Sequence, residues 1–85
     1  MKTFHYTIKD AQGIHARPAG ELVKLVNGLS SKVTIEKAGK VAEAKRLFAI
    51  MGLAVKAGDE ITIGIDGGDE EGSAAMVQKF FEENL

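Results

Sequence analysis

The sequence predicts an α+β fold with the element order βαββαβα, in which a four-stranded antiparallel sheet carries three helices packed on one face. Three observations predict it. Apolar residues recur at period two in the first ten residues, around residues 32–44 and again at 60–65. Between and after these stretches, apolar residues recur at helical spacing. Four strands and three helices in 85 residues leave no room for long parallel crossovers, so the sheet must be antiparallel and layered with its helices. The chain is expected to be one domain, 1–85.

The first strand is read over residues 2–9, where Phe4, Tyr6 and Ile8 alternate with Thr3, His5 and Thr7. Asp10 to Gly13 forms a turn cluster. Ala19, Leu22, Val23 and Val26 then fall at i, i+3, i+4 and i+7, one apolar helix face, and Asn27-Gly28 supplies its stop. Val33 and Ile35 restore the strand period, and Ala38-Gly39 turns the chain into a short partner strand, so 32–44 reads as a hairpin. A short helix is expected from Lys45 to Gly52, with Leu47, Ile50 and Met51 at helical spacing. Ile61, Ile63 and Ile65 alternate in the last strand. After the Gly67-Gly68 turn, Asp69, Glu70 and Glu71 favour the positive end of a final helix that buries Ala74, Val77, Phe80 and Phe81.

Composition excludes several function classes. The absence of cysteine removes disulfides and thiolate metal sites. A net charge of −1 gives no electrostatic footprint for nucleic acid or an anionic membrane. The longest apolar stretch, residues 47–55, is far shorter than the ~20 residues that a membrane span needs. The expectation is a soluble, cytoplasmic protein with no membrane insertion. No metal site and no cofactor are expected: His5, on the polar side of the first strand, has no clustered ligand partner, and Gly64, Gly67 and Gly68 do not form a nucleotide-binding fingerprint. Ser30, Ser31 and Ser73 are read as turn or helix-end residues.

The informative segment is Gly13-Ile14-His15-Ala16-Arg17-Pro18. Proline is tolerated in the first turn of a helix, where its missing N–H would have no partner, so Pro18 places the helix start close to His15, Ala16 and Arg17. The N–H groups of Ala16 and Arg17 are then free, and a helix N-terminus with free N–H groups is an anion site. An imidazole nucleophile placed there can take a phosphoryl group, whose charge is met by the amides and by the Arg17 guanidinium. The dipole contributes only about 0.3–1 kcal/mol. Since histidine is mostly neutral at pH 7 by its intrinsic chemistry, the larger benefit is in holding the phosphoryl group and the similarly charged transition state.

This segment resembles the active-site signature of the HPr family, the histidine-containing phosphocarriers of the sugar phosphotransferase system. The likeness extends over the chain in length, in element order and in the Leu47-Phe48-Ala49-Ile50-Met51 run of the second helix. The resemblance implies an open-faced β-sandwich. It implies that His15 is phosphorylated on Nδ1 by enzyme I, which draws on phosphoenolpyruvate, and then donates to a histidine of a sugar-specific IIA domain, with Arg17 assisting. It implies transient docking of both partners on Leu47, Phe48 and Met51 of the second helix and on Gly20, Lys24 and Asn27 of the first. Leu47 and Phe48 are adjacent, so one amphipathic face cannot easily bury both. Lys24, Lys45 and Arg46 can steer acidic partners. A monomer is expected.

The chain departs from the family at one position. Arg46 stands where many members open the second helix with a serine that a kinase phosphorylates, and arginine cannot accept that group. Three other readings compete with this one. A paralogue in a regulatory or nitrogen-related branch would retain the same His15 and Arg17. An RNA-binding module would expose aromatics on its third and fourth strands, which this chain does not have. A stand-alone enzyme would need an acid/base partner for His15 and a substrate pocket.

Overall fold

The computed structural model describes residues 1–85 and follows the expected order: β1 (Lys2–Thr7), α1 (Ala16–Asn27), β2 (Lys32–Lys37), β3 (Lys40–Glu43), α2 (Leu47–Gly52), β4 (Glu60–Asp66) and α3 (Glu70–Asn84). The strands form one antiparallel sheet in the order β1-β4-β2-β3. Register aligns the period-two residues across it: Phe4 faces Ile63, Ile63 faces Ile35 and Ile35 faces Ala42, while Tyr6 faces Ile61 and Ile65 faces Val33. Those side chains make one apolar face, with the isoleucines of β4 wholly buried at its centre. On the other face run His5, Thr62 and Glu36, paired strand to strand and open to water. This is the open-faced sandwich with its three helices on one side.

The helices cover the apolar face with the residues their spacing marks. In α1 these are Ala19, Leu22 and Val26, with Val23 half-buried. In α3 they are Val77 and Phe81, with Ala74 and Phe80 half-buried. Phe81 is fully buried against Tyr6, whose hydroxyl donates to the Phe81 carbonyl at 3.0 Å. That burial, with Glu82 nearby, raises the Tyr6 pKa above its ordinary value.

β1 stops at Thr7 and α2 starts only at Leu47, short of the expected 2–9 and of Lys45, and two further details differ from the sequence reading. Gly28 ends α1 in a right-handed conformation (φ −89°), so the stop is a tightened last turn, with Gly28 N–H donating to Leu25 O and Leu29 N–H to Val26 O. Ser31 and Ser73 are buried rather than merely terminal. Their hydroxyls hydrogen-bond at 2.9 Å, and Ser31 also donates to Gly67 O, fixing the start of α3 to the loop before β2. Asp69 caps α3 by accepting from Gly72 N–H, and Glu70 reaches back to accept from Gly67 N–H at 2.7 Å.

The segment leading into α1 is anchored by backbone. Gly13 N–H donates to Asp10 O, and Ile14 N–H donates to Val55 O at 3.1 Å, with the Ile14 side chain buried. Gly13 has φ +66°, and a Cβ there would overlap the carbonyl oxygen of Val55 and lie 2.8 Å from Lys56 Cα. Only glycine satisfies both the left-handed backbone and this close approach.

Gly13→Ala is therefore expected to destabilise the fold by at least about 1–3 kcal/mol, lowering Tm by roughly 4–8 °C per kcal/mol in thermal unfolding; an unchanged Tm contradicts the tight packing. A second expectation concerns pH. The Gly67 N–H, with the amino terminus beside it, holds the Glu70 carboxyl below its usual pKa. A depressed folded value stabilises the fold above the unfolded carboxyl pKa of about 4.3 and loses that contribution as pH falls through the folded value. Glu70→Gln should lower Tm at pH 7, and its difference from the parent should close as pH drops below about 4; a difference independent of pH contradicts it.

Candidate functional site

His15 is the N-cap of α1, in extended conformation with φ −103° and ψ −177°. Its carbonyl accepts the first helical bond, from Ala19 N–H at 3.1 Å. The preceding helical positions are Ala16, Arg17 and Pro18. Pro18 has no N–H to offer, and the N–H groups of Ala16 and Arg17 have no backbone acceptor. No side chain caps this end either. Two orphan donors thus flank a half-buried imidazole at the positive end of a helix of 12 residues.

His15 opens into a polar cleft of about 230 Å³, whose other lining residues are Asp10, Arg17, Pro18, Glu21 and Asn84. Three elements build it. The turn after β1 supplies Asp10, whose Oδ1 accepts from Gln12 N–H at 2.8 Å and so holds the turn closed. The first turns of α1 supply Arg17 and Glu21, where Arg17 Nε lies 3.9 Å from Glu21 Oε1. The end of α3 supplies Asn84. It is brought there because Leu85 O accepts from the N–H groups of both Lys9 and Asp10, at 2.7 and 2.9 Å. The Arg17 side chain is 88% exposed and reaches along the helix surface to Glu21.

The structure places His15 and Arg17 in the cleft, with Ala16 between them at the first helical position, and adds Asp10, Glu21 and Asn84. Glu21 was legible in principle, because a carboxylate four residues after Arg17 on a helix must neighbour it. Asn84 and Asp10 carry no such local signal. Their arrival depends on α3 folding back onto the turn after β1.

The other candidate residues lie along α1 and α2, which pack against one another. On α1, Gly20 is half-buried and Lys24 and Asn27 are exposed. On α2, Ile50 is buried and Leu47 half-buried, whereas Phe48 is 85% exposed and Met51 is 39% exposed. The conflict between adjacent Leu47 and Phe48 is resolved by leaving Phe48 in water. An exposed phenylalanine of this extent beside an exposed methionine is an apolar patch that a folded monomer does not need. Arg46, the N-cap of α2, pairs with Glu43 at 3.3 Å. No helix is long and apolar enough to cross a membrane.

Comparison with known proteins places the chain. The model of the family described as the PTS HPr component phosphorylation site matches residues 2–83. The chain is 39% identical over 71 residues to the phosphocarrier protein HPr of Lysinibacillus sphaericus, covering 84% of this chain and 81% of that one. It superposes on the crystal structure of HPr-C-His from Thermoanaerobacter tengcongensis with a TM-score of 0.91 at 34% identity, over 98% of this chain and 93% of that one. A crystal structure of an HPr dimer from the same organism matches with a TM-score of 0.76 at 34% identity, over 98% and 95% of the two chains. The fold, the strand-to-helix segment around His15 and these matches agree, and the chain belongs to the HPr family of phosphocarrier proteins of the phosphotransferase system.

Proposed function

We propose that this chain accepts a phosphoryl group on His15 from phosphorylated enzyme I and passes it to the IIA component of sugar-specific permeases. The observation that carries the proposal is the position of His15, as N-cap of α1 beside the unpaired N–H groups of Ala16 and Arg17 in an open polar cleft. In the forward step the Nδ1 lone pair attacks phosphorus. The bond from phosphorus to the donor's leaving nitrogen breaks, and its electron pair stays with the donor. The second step reverses the roles, with His15 as leaving group and the acceptor histidine as nucleophile, so the carrier returns unchanged. No substrate is turned over on the chain itself, and it acts as a carrier between enzymes rather than as an enzyme.

The protein supplies charge complementarity. A phosphoryl group carries about −1.5 to −2 at pH 7, and charge-assisted bonds from backbone N–H groups and a guanidinium are the strong ones. Openness of the cleft suits the role, since a phosphohistidine must be reached by two successive partners. Docking on Gly20, Lys24, Asn27, Leu47, Phe48 and Met51 uses an apolar patch small enough for rapid release. The carrier is read as a cytoplasmic monomer. With Arg46 at the start of α2, regulation by serine phosphorylation at that position has no acceptor.

Incubation with phosphoenolpyruvate and catalytic enzyme I should add one acid-labile phosphoryl group by intact mass. His15→Ala should add none while keeping its thermal transition; unfolding of that variant, or mass gain in it, contradicts the assignment. Arg17→Ala should slow transfer to a IIA domain by about tenfold, the worth of one charge-assisted hydrogen bond, without abolishing acceptance. An unchanged rate removes its role.

A further inference from the structure

We propose that Glu21 is a positioning residue that holds Arg17 in the unphosphorylated protein and yields it to the phosphoryl group on His15. This inference rests on the phosphocarrier reading of His15. Both partners of the Arg17–Glu21 pair line the same cleft as His15. The pair lies one helical turn apart, at i and i+4, so it needs no tertiary rearrangement to form or break. Its contact is loose at 3.9 Å, and both side chains are substantially exposed, 88% for Arg17 and 48% for Glu21. Such a pair is weak. A phosphoryl group on His15 offers the guanidinium nearly twice the charge of a carboxylate, with oxygens arranged for paired hydrogen bonds.

The carboxylate does two things at once. Before transfer it pairs with Arg17, so the guanidinium, although largely exposed, lies along the helix surface at the edge of the cleft. After transfer it competes with the phosphoryl group for the same guanidinium and repels it by like charge. Both effects raise the free energy of the phosphorylated form, which makes it a readier donor. Asp10 lines the same cleft, but its Oδ1 is committed to Gln12 N–H. Glu21 has no hydrogen bond or ion pair apart from Arg17, which is why the role falls to Glu21.

The test reads Arg17 directly. The parent and Glu21→Gln are phosphorylated chemically with phosphoramidate, which needs no protein partner, and the Arg17 Nε–H resonance is followed by NMR. Glu21→Gln should move that resonance in the free protein and leave it nearly unmoved in the phosphorylated one. The equilibrium with catalytic enzyme I and a fixed phosphoenolpyruvate-to-pyruvate ratio should shift toward the phosphorylated form by about two- to fivefold, the strength of an exposed pair, and the shift should shrink in high salt. Glu21→Asp, which keeps the charge, should stay near the parent. In the Arg17→Ala background the shift should be smaller.

A resonance that responds equally in both forms, or an equal shift in the Arg17→Ala background, overturns the proposal. So does failure of His15 to take a phosphoryl group from phosphoramidate. Acceptance from phosphoramidate with the predicted Arg17 behaviour, but none from enzyme I, supports the positioning role and overturns only the assigned donor.

Discussion

The site depends on one backbone constraint: the segment Gly13-Ile14 is pinned against Val55. Gly13 runs left-handed with no room for a side chain, and Ile14 donates to Val55 O while burying its own side chain. Two residues are thereby fixed immediately before the helix, so α1 must begin at His15. The loop from α2 to β4, which carries Val55, is tied in turn to the sheet. Gly58 N–H bonds Ile8 O and Ile8 N–H bonds Asp59 O. Lys37 of β2 reaches the same loop, donating to Ala54 O and pairing with Asp59 at 3.0 Å. The backbone that carries His15 is thus tied to the sheet through the loop before β4.

With the helix start held, its chemistry follows from what is missing. The N–H groups of Ala16 and Arg17 point out of a helix that has no acceptor for them, and no side chain fills the role. The start of α3 is closed by contrast, while α2, with Arg46 at its N-cap, also lacks a side-chain cap. Asp69 accepts from Gly72 at the start of α3, and Glu70 accepts from Gly67 just before it. An uncapped, exposed N-terminus leaves these donors to water or to a ligand. The remaining charges of the cleft oppose rather than reinforce each other: one guanidinium shares it with the two carboxylates of Asp10 and Glu21. A carrier has to hold its group and also release it, and a strongly cationic pocket would serve only the first need.

Much of this was legible in the residues themselves. Pro18 and the spacing of Ala19, Leu22 and Val26 locate α1 to within a residue of where it begins, and alternating isoleucines mark β4 as a strand. The juxtaposition of Leu47 and Phe48 announced that at least one of them is exposed, and Phe48 is that residue. What escaped reading is long-range. The buried hydroxyl pair of Ser31 and Ser73 joins residues 42 apart, and looks in sequence like two ordinary terminal serines. Asp10 and Asn84 meet in the cleft only because the end of α3 docks on the turn after β1, an event with no local signature. The right-handed end of α1 at Gly28 escaped because glycine permits both hands and its neighbours decide.

The central claim is that the free amides of α1 receive the group that His15 carries. The direct measurement is the backbone amide proton shift of Ala16 and Arg17 by NMR before and after phosphorylation of the protein. The account predicts large downfield movements at these two amides, well beyond those of the capped start of α3. Phosphorylation that leaves both amides in place, with the major changes elsewhere, would contradict it.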